Sequence, residues 1–204
     1  MEHYGLTQAQ KNIYELQSFY AGTSVSVICG AVIFKDLLER DRLINAAAEL
    51  VNRHEALRLR FCTVDGQIVQ YDCNEAFQPD FKEFELLDEM RDHCRTQARL
   101  PFELNGSSMI RMTVFEAEGR SGIILCTSHL VSDAFTYSIL ARDVYEIYTG
   151  IFSKEKNFGK YTEYTLTDKA YAESEKYSSD SEYWGEKYSK GSEETPVRIC
   201  RRSR

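Results

Sequence analysis

The 204-residue sequence lacks the signals of several large protein classes. No apolar run approaches the length of a membrane span, and the N-terminus has no basic start followed by an apolar stretch. The six cysteines form no CxxC pair and no Cys/His spacing typical of zinc sites. The net charge of -7 argues against a basic face for nucleic acid. We therefore expect a cytoplasmic protein with reduced thiols and no bound metal, membrane or nucleic acid.

Signature motifs of several common enzymes are also missing. The sequence contains no GxSxG, no HExxH and no Walker-type glycine-rich loop, so serine hydrolase, zinc protease and nucleotide-binding functions have no support. What is present is a hydrophobic content of 43% with 12% aromatic residues, which predicts a folded chain with a sizeable core.

The spacing of apolar residues predicts one α+β layered domain. Apolar residues at helical spacing predict four helices with a polar helical region near the end, and β-branched or alternating stretches predict strands. The strongest hairpin signal is Asp65-Gly66 between two alternating runs. The predicted helices cover 7–20, 40–57, 89–100, 134–148 and 167–190, and the predicted strands cover 24–34, 57–72 as a hairpin, 108–116 and 121–128.

The segment CTSHLVSDAFTYSIL, residues 126–140, contains the most informative histidine. Side chains alternate along a strand, so we expect Ser128 and His129 to point to opposite faces, which is a poor geometry for a local Ser-His-Asp triad. Three roles remain open for His129 at this stage: a lone general base, a ligand, or a structural histidine satisfied by a hydrogen bond. Asp133 is favoured as the N-cap of the following helix.

Several segments together resemble the condensation domains of nonribosomal peptide synthetases. The segments LTQAQKNIY, RHEALRLRF, ARLPFEL followed by MIRMTVF, and SHLVSDA occur in the order and spacing typical of that family, and YTEY with EYWGEKY resembles the motif that follows. The resemblance runs from about Leu6 to Tyr188. RHEALRLRF is its most specific part.

The resemblance implies a site around His129. In the family motif HHxxxDG, the second histidine matters for amide formation and the aspartate pairs with an arginine of the RHE segment. These positions are His129 and Asp133 here, with Arg58 as the first candidate partner and Arg53 as the second. A buried aspartate–arginine pair would order the loop, and losing one partner would cost roughly 3–5 kcal/mol.

Two positions depart from the family motif. Ser128 replaces the first histidine, which removes an imidazole that should face away from His129. Ala134 replaces the glycine, and a positive φ there would cost on the order of 1 kcal/mol. Both changes put full activity in question without indicating another chemistry.

The resemblance also implies the fold and its extent. The expected fold is a chloramphenicol acetyltransferase-like two-layer sandwich, present as a single lobe whose mixed sheet is packed by helices. Residues 1–190 would be the N-terminal lobe of a condensation domain, and residues 191–204 would begin the linker to an absent second lobe.

The implied function is amide formation between carrier-protein-bound acyl or peptidyl and aminoacyl thioesters, as part of a larger synthetase. The implied partners are peptidyl or acyl carrier domains, the second lobe and an adenylation domain of the same synthetase. No cofactor would bind directly, because phosphopantetheine arrives on the carrier proteins. The isolated lobe is expected to be inactive.

Two alternatives stay open from the sequence. One is a free-standing trimeric acyltransferase of the chloramphenicol acetyltransferase type, although that family carries its histidine close to the C-terminus and His129 is not so placed. The other is a non-catalytic lobe that binds a carrier protein, which the Ser128 and Ala134 changes favour.

Overall fold

A computed structural model describes residues 2–151 and 159–189 of the chain. The strands and helices, in chain order, are β1 (Tyr4–Gly5), α1 (Gln8–Phe19), β2 (Val27–Ile33), α2 (Arg40–Arg53), α3 (Glu55–Arg58), β3 (Leu59–Val64), β4 (Gln67–Asp72), β5 (Asp80–Phe84), α4 (Leu87–Ala98), β6 (Ile110–Ala117), β7 (Arg120–Ser128), α5 (Ala134–Thr149), α6 (Tyr161–Ala172) and α7 (Glu175–Ser189).

Two sheets form among these elements. The larger has the order β2-β7-β6-β5, and it is mixed because β5 pairs in parallel with β6 while the other neighbours are antiparallel. The smaller is antiparallel with the order β1-β4-β3. Helices α2 and α5 pack against each other, and α4 contacts β2. The predicted α+β fold with a mixed sheet packed by helices is confirmed.

The core lies between the sheets and these helices. Strands β6 and β7 are buried over most of their length, and their buried residues include the polar Thr113, Ser121 and Thr127. The largest fully buried side chains include Phe61, Phe115, Leu43, Leu57, Leu59, Met90, Met109 and Ile124.

Helix α5 is fixed to the sheet by Tyr137. Its ring lies against Gly30 of β2, where an added Cβ would stand only 3.2 Å from the ring. The hydroxyl lies 2.8 Å from the Ile28 carbonyl oxygen and 3.0 Å from that of Leu125, so it bonds across β2 and β7. Burial raises the pKa of Tyr137 to about 12, from an ordinary value that already leaves a phenol protonated at physiological pH.

A two-residue turn joins the strands of each predicted hairpin, β3 with β4 and β6 with β7. Asp65 and Gly66 have φ values of 50° and 76°, and Glu118 and Gly119 have values of 49° and 71°. Positive φ at both central residues is the mark of the tight turn that suits twisted strands. The Asp65-Gly66 hairpin is therefore confirmed.

Three local differences separate the structure from the sequence predictions. The predicted helix over 40–57 is two helices, because His54 has extended backbone and ends α2. The short strand β1 and the edge strand β5 were not predicted. The helical region near the end begins at Tyr161 rather than 167.

The prediction that all thiols are reduced is wrong for two cysteines. The register of β2 and β7 places Cys29 directly opposite Cys126, and a disulfide joins them with Cα atoms 4.1 Å apart. Cys62, Cys73 and Cys94 are free, and burial raises the pKa of the Cys94 thiol. Direct cross-strand pairing is the physical reason, and it could not be read from spacing alone.

The chain divides into two compact units between Thr165 and Leu166. The first unit holds both sheets and helices α1 to α5. The predicted linker over 191–204 lies outside the described residues. Within the described ranges, no helix is long and apolar enough to cross a membrane.

Gly122 on β7 provides a test of the packing between strands. A Cβ there would overlap the buried ring of Phe115 and the carbonyl oxygen of Val32. We expect Gly122→Ala to lower the free energy of unfolding by about 1–3 kcal/mol or more, because neither group can yield within the core. Urea denaturation of both chains measures this. The control is Gly5→Ala, since an added Cβ there meets nothing within 4 Å, and an equal loss in both variants would contradict the packing described.

Candidate active site

His129 stands directly after β7, at the end of the larger sheet. Pairing of β2 with β7 runs from Ile33 opposite Gly122 to Val27 opposite Ser128. Beyond the last pair, the His129 N–H donates to the Ser26 carbonyl oxygen at 2.7 Å. The strand ladder therefore continues as far as the backbone of the histidine and fixes its position.

A tight turn follows over residues 128–131. The Val131 N–H donates to the Ser128 carbonyl oxygen at 3.1 Å, and the Leu130 N–H donates to Ser128 Oγ at 3.3 Å. Ser128 is fully buried, whereas His129 is exposed. The two side chains therefore point apart as predicted, and Ser128 stabilises the turn.

The imidazole of His129 is held by its own loop. Nδ1 lies 2.8 Å from the carbonyl oxygen of Ser132. Because a carbonyl oxygen can only accept, Nδ1 must carry a proton, and Nε2 of the neutral ring keeps its lone pair. Ser132 is fixed in turn, since its hydroxyl bonds that of Thr127. The ring thus has a defined tautomer.

Asp133 is the N-cap of α5, as predicted. Its Oδ1 accepts from the Thr136 N–H at 2.8 Å, and its own N–H donates to the Thr136 hydroxyl at 3.1 Å, which completes a reciprocal cap. The Thr136 backbone N–H, and then its hydroxyl, hold the pKa of the Asp133 carboxyl below its ordinary value. Ala134 is the first helical residue and is not among the positive-φ residues of the described chain, so the expected strain is absent.

The expected pairing of Asp133 with an arginine is wrong in this structure. Arg58 instead makes a two-bond ion pair with Asp72, from Nε at 2.9 Å and from Nη2 at 2.7 Å. Asp72 is opposite Leu59 in the β3–β4 ladder, so it is the carboxylate that this register brings to Arg58. Arg53 Nε contacts Glu49 Oε1 at 2.5 Å, one turn earlier in the same helix.

His129 and Asp133 line a cleft of about 420 Å³. Its walls come from α1, the junction of α2 and α3, the His129 loop, α5 and Tyr161. Aliphatic side chains such as Ile13, Leu57 and Ile139 make up much of the lining. The arrangement places one imidazole with a free lone pair beside a mostly apolar space.

Of the six residues predicted for the site, two line this cleft. Ser128 lies beneath the turn and Ala134 starts α5, so they shape the loop without lining the cleft. Arg58 and Arg53 are outside the lining.

Sequence reasoning missed a second histidine of the cleft. His54 lines it, and its Nε2 lies 3.1 Å from Oδ2 of Asp143. Asp143 is fully buried, and its Oδ1 accepts two bonds from Arg142 at 2.9 and 2.7 Å. A signal was available, because Asp143 interrupts the apolar stripe of α5 between Leu140 and Val144.

Gln10 and Glu55 were also missed. Gln10 is buried at the cleft and donates to the Leu130 carbonyl oxygen at 3.1 Å. The Glu55 carboxylate accepts from the backbone N–H of Thr162 at 2.9 Å and from its hydroxyl, and so it caps the start of α6 next to Tyr161. No local pattern in the sequence indicates either long-range contact.

Metal binding has no geometric support in the described part of the chain. Over residues 2–151 and 159–189, no group of three or more histidine, cysteine, aspartate or glutamate side chains could hold a metal ion.

Comparison with curated proteins finds relatives among peptide synthetases. The chain is 28% identical over 185 residues to surfactin synthase subunit 2 of Bacillus subtilis (strain 168), covering 90% of this chain and 5% of that protein. It is also 28% identical over 185 residues to tyrocidine synthase 3 of Brevibacillus parabrevis, covering 90% of this chain and 3% of that protein. The chain thus spans a small part of these relatives.

Solved structures show the same fold over about half of longer chains. A mutant starter condensation domain of rhizomide synthetase in complex with C8-CoA matches with a TM-score of 0.87 and 19% identity, over 99% of this chain and 48% of that chain. The first condensation domain of the CDA synthetase matches with a TM-score of 0.82 and 18% identity, over 94% of this chain and 52% of that chain.

A family model gives the final comparison. The model described as "Condensation domain" matches residues 1–198, which is nearly the whole chain. This match agrees with the peptide synthetase relatives and with the fold of the solved condensation domains. The chain therefore belongs to the condensation domain family.

Proposed function

We propose that this chain is the N-terminal lobe of a condensation domain that joins carrier-bound acyl or peptidyl and aminoacyl thioesters through an amide bond. The observation that carries this proposal is the His129 imidazole, whose Nδ1 is bonded to Ser132 while the ring is exposed at the cleft. The family match over residues 1–198 supports the reaction class.

The reaction is an exchange of a thioester for an amide. The amine nitrogen of the acceptor attacks the carbonyl carbon of the donor thioester, so a C–N bond forms and the C–S bond breaks. Nε2 of His129 takes a proton from the amine, and the same proton neutralises the departing pantetheine thiolate. A general base at this step typically contributes 10²–10⁴-fold in rate.

The held tautomer is what suits His129 to this role. With Nδ1 protonated toward Ser132, the lone pair of Nε2 is the only basic position of the neutral ring. The turn and the Ser26 contact fix where this lone pair lies. Orientation of this kind can supply several kcal/mol of the barrier reduction by holding reactants in place.

The cleft is suited to thioester substrates carried on flexible arms. Its aliphatic lining, with Ile13, Leu57 and Ile139, favours acyl chains, and few charged groups face it. Phosphopantetheine enters as part of these substrates on carrier proteins, and no cofactor is assigned to the chain itself.

The second half of the site would come from a second lobe. The chain covers 48% and 52% of the solved condensation domains that it matches, which supports a half-domain. Residues 1–190 form the proposed lobe and 191–204 the proposed linker. The isolated lobe is inactive under this proposal. Its partners are the second lobe, carrier domains and an adenylation domain of one cytoplasmic synthetase.

His129→Ala tests the catalytic role. In the lobe joined to a second condensation lobe, we expect the rate of amide formation to fall by about 10²–10⁴-fold, because the general base is lost. The assay loads one carrier with an acyl group and the other with an amino acid, and detects the amide on the intact carrier by mass spectrometry.

The control is His3→Ala, which removes an exposed histidine that is not part of the cleft lining. It should leave the rate unchanged. Carrier binding by the unmodified protein without any amide product would overturn the catalytic proposal and support a binding lobe instead.

Two substitutions of Asp133 distinguish a helix-capping role of its side chain from a role in pairing with an arginine. At pH 7, we expect Asp133→Ala to lower the free energy of unfolding by about 1 kcal/mol, whereas Asp133→Asn should cost a few tenths because an amide oxygen also caps a helix. The folded-state pKa lies below the ordinary 3.8, so this stabilisation is present above about that pH and is lost as pH falls through the lower folded-state value.

Thermal and urea unfolding at pH 7 and pH 3 would measure these differences. An equal loss for the asparagine and alanine variants would mean that the negative charge itself is needed, as the family pairing with arginine requires.

The mass of the chain in solution separates the proposed lobe from a trimeric acyltransferase. We expect sedimentation equilibrium at several concentrations to give the mass of a single chain, because the proposed site is completed by a second lobe and not by a copy of the same chain. A stable trimer would instead bring a neighbouring subunit to His129 and would favour the free-standing enzyme.

A further inference from the structure

Two buried glutamines form a hydrogen-bonded pair between α1 and β4. Gln10 is 2% exposed and Gln70 is fully buried. Each side-chain amide donates to the oxygen of the other at 2.9 Å, so the two groups make a reciprocal pair. Burying two amides is costly unless all of their donors and acceptors are used.

The remaining donors of the pair reach two carbonyl oxygens. The second N–H of Gln10 donates to Leu130 O at 3.1 Å, and the second N–H of Gln70 donates to Gly5 O at 2.9 Å. Gln10 Oε1 also accepts from the Thr7 N–H at 3.0 Å. Rotating the Gln10 amide by 180° would set oxygen against oxygen at Leu130, so its orientation is fixed.

The Leu130 carbonyl belongs to the turn that carries His129. The backbone N–H of His129 is fixed by Ser26, and its ring is fixed by the carbonyl of Ser132. The peptide between Leu130 and Val131 lies between these two anchors, and a rotation of that peptide would carry Ser132 away from Nδ1. The buried Gln10 side chain holds this peptide through its bond to the Leu130 carbonyl oxygen.

We propose that Gln10 is a positioning residue that fixes the Leu130 peptide and thereby the ring orientation and tautomer of His129. Its catalytic consequence rests on the proposed function, but its structural consequence does not. The two can therefore be tested separately, the first by turnover and the second by the state of the imidazole.

Two matched variants isolate the contact with Leu130. Gln10→Glu removes the donors to Gln70 and Leu130, while Gln70→Glu removes the donors to Gly5 and Gln10. Each variant replaces a buried amide by a carboxyl of the same shape in the same network and loses two bonds. Only the first variant removes the bond to Leu130 in the His129 turn, because the carboxylate introduced at position 70 still accepts from the Gln10 amide. Gln67→Glu, on the exposed part of β4, controls for the added charge.

The readout is the nitrogen NMR spectrum of the His129 imidazole in the 204-residue chain. The unmodified chain and the Gln70 and Gln67 variants should show one tautomer, protonated at Nδ1. The Gln10 variant should show a mixture of tautomers, because the bond to Ser132 is no longer held. Equal changes in the Gln10 and Gln70 variants, or no change in either, would overturn the proposal.

Gln10→Met and Gln70→Met replace this pair of variants if a buried carboxyl prevents folding, since methionine fills a similar volume without a donor or a charge. If the methionine variants also fail to fold, hydrogen exchange in the unmodified chain tests the bond between Gln10 and Leu130. The Gln10 side-chain amide protons should then exchange with solvent far more slowly than those of Gln67, and fast exchange would contradict the bond to Leu130.

The second test measures turnover, in the protein in which this lobe is joined to a second condensation lobe. We expect Gln10→Glu to lower kcat by about 10- to 100-fold with a smaller effect on KM, because a displaced base slows the chemical step more than binding. Gln70→Glu should stay within a few-fold of the unmodified protein. A shifted tautomer with unchanged kcat would refute the role in catalysis, and it would count against His129 as the base as well.

Discussion

The antiparallel pairing of β2 with β7 is the interaction on which the rest of the molecule depends. Seven residue pairs join the strands, and the ladder ends one hydrogen bond later at the backbone of His129. A slip of one residue would exchange the two faces of β7 and bury the imidazole in place of Ser128. The site is therefore a consequence of strand register, and the core residues of β7 determine where the histidine lies.

Much of the fold could be predicted from the sequence because its signals are local. The Asp65-Gly66 turn, the apolar run of β2 and the stop of α5 at Gly150 each depend on a few neighbouring residues, and the structure has all three. The strands β1 and β5 could not be predicted, since β1 has two residues and β5 is polar on an edge. The break at His54 was missed because helical spacing continues across it.

The site was predictable only in part. The strand that ends before His129 and the helix that begins after Asp133 were predicted from the pattern, and so was the capping role of Asp133. The catalytic role of His129 was implied by the family resemblance and stays a proposal. Partners distant in sequence were not predictable. Arg58 pairs with Asp72 because the register of β3 and β4 brings the two together, and Gln10 contacts Leu130, which is 120 positions away in the sequence. Charge and residue type indicate that a partner is needed, while only the tertiary structure indicates which one.

The RHE segment joins three helices through three successive side chains. Arg53 bonds back to Glu49 in α2, His54 bonds to Asp143 in α5, and Glu55 caps the start of α6. The α2–α3 junction, the α5 wall of the cleft and the start of α6 at Tyr161 are thus all held by one short stretch of backbone. Substitutions in this stretch should be strongly non-additive, because each one alters a constraint that the other two share. The width of the cleft is therefore set by this short stretch of backbone, and a wider cleft would require several of these residues to change together.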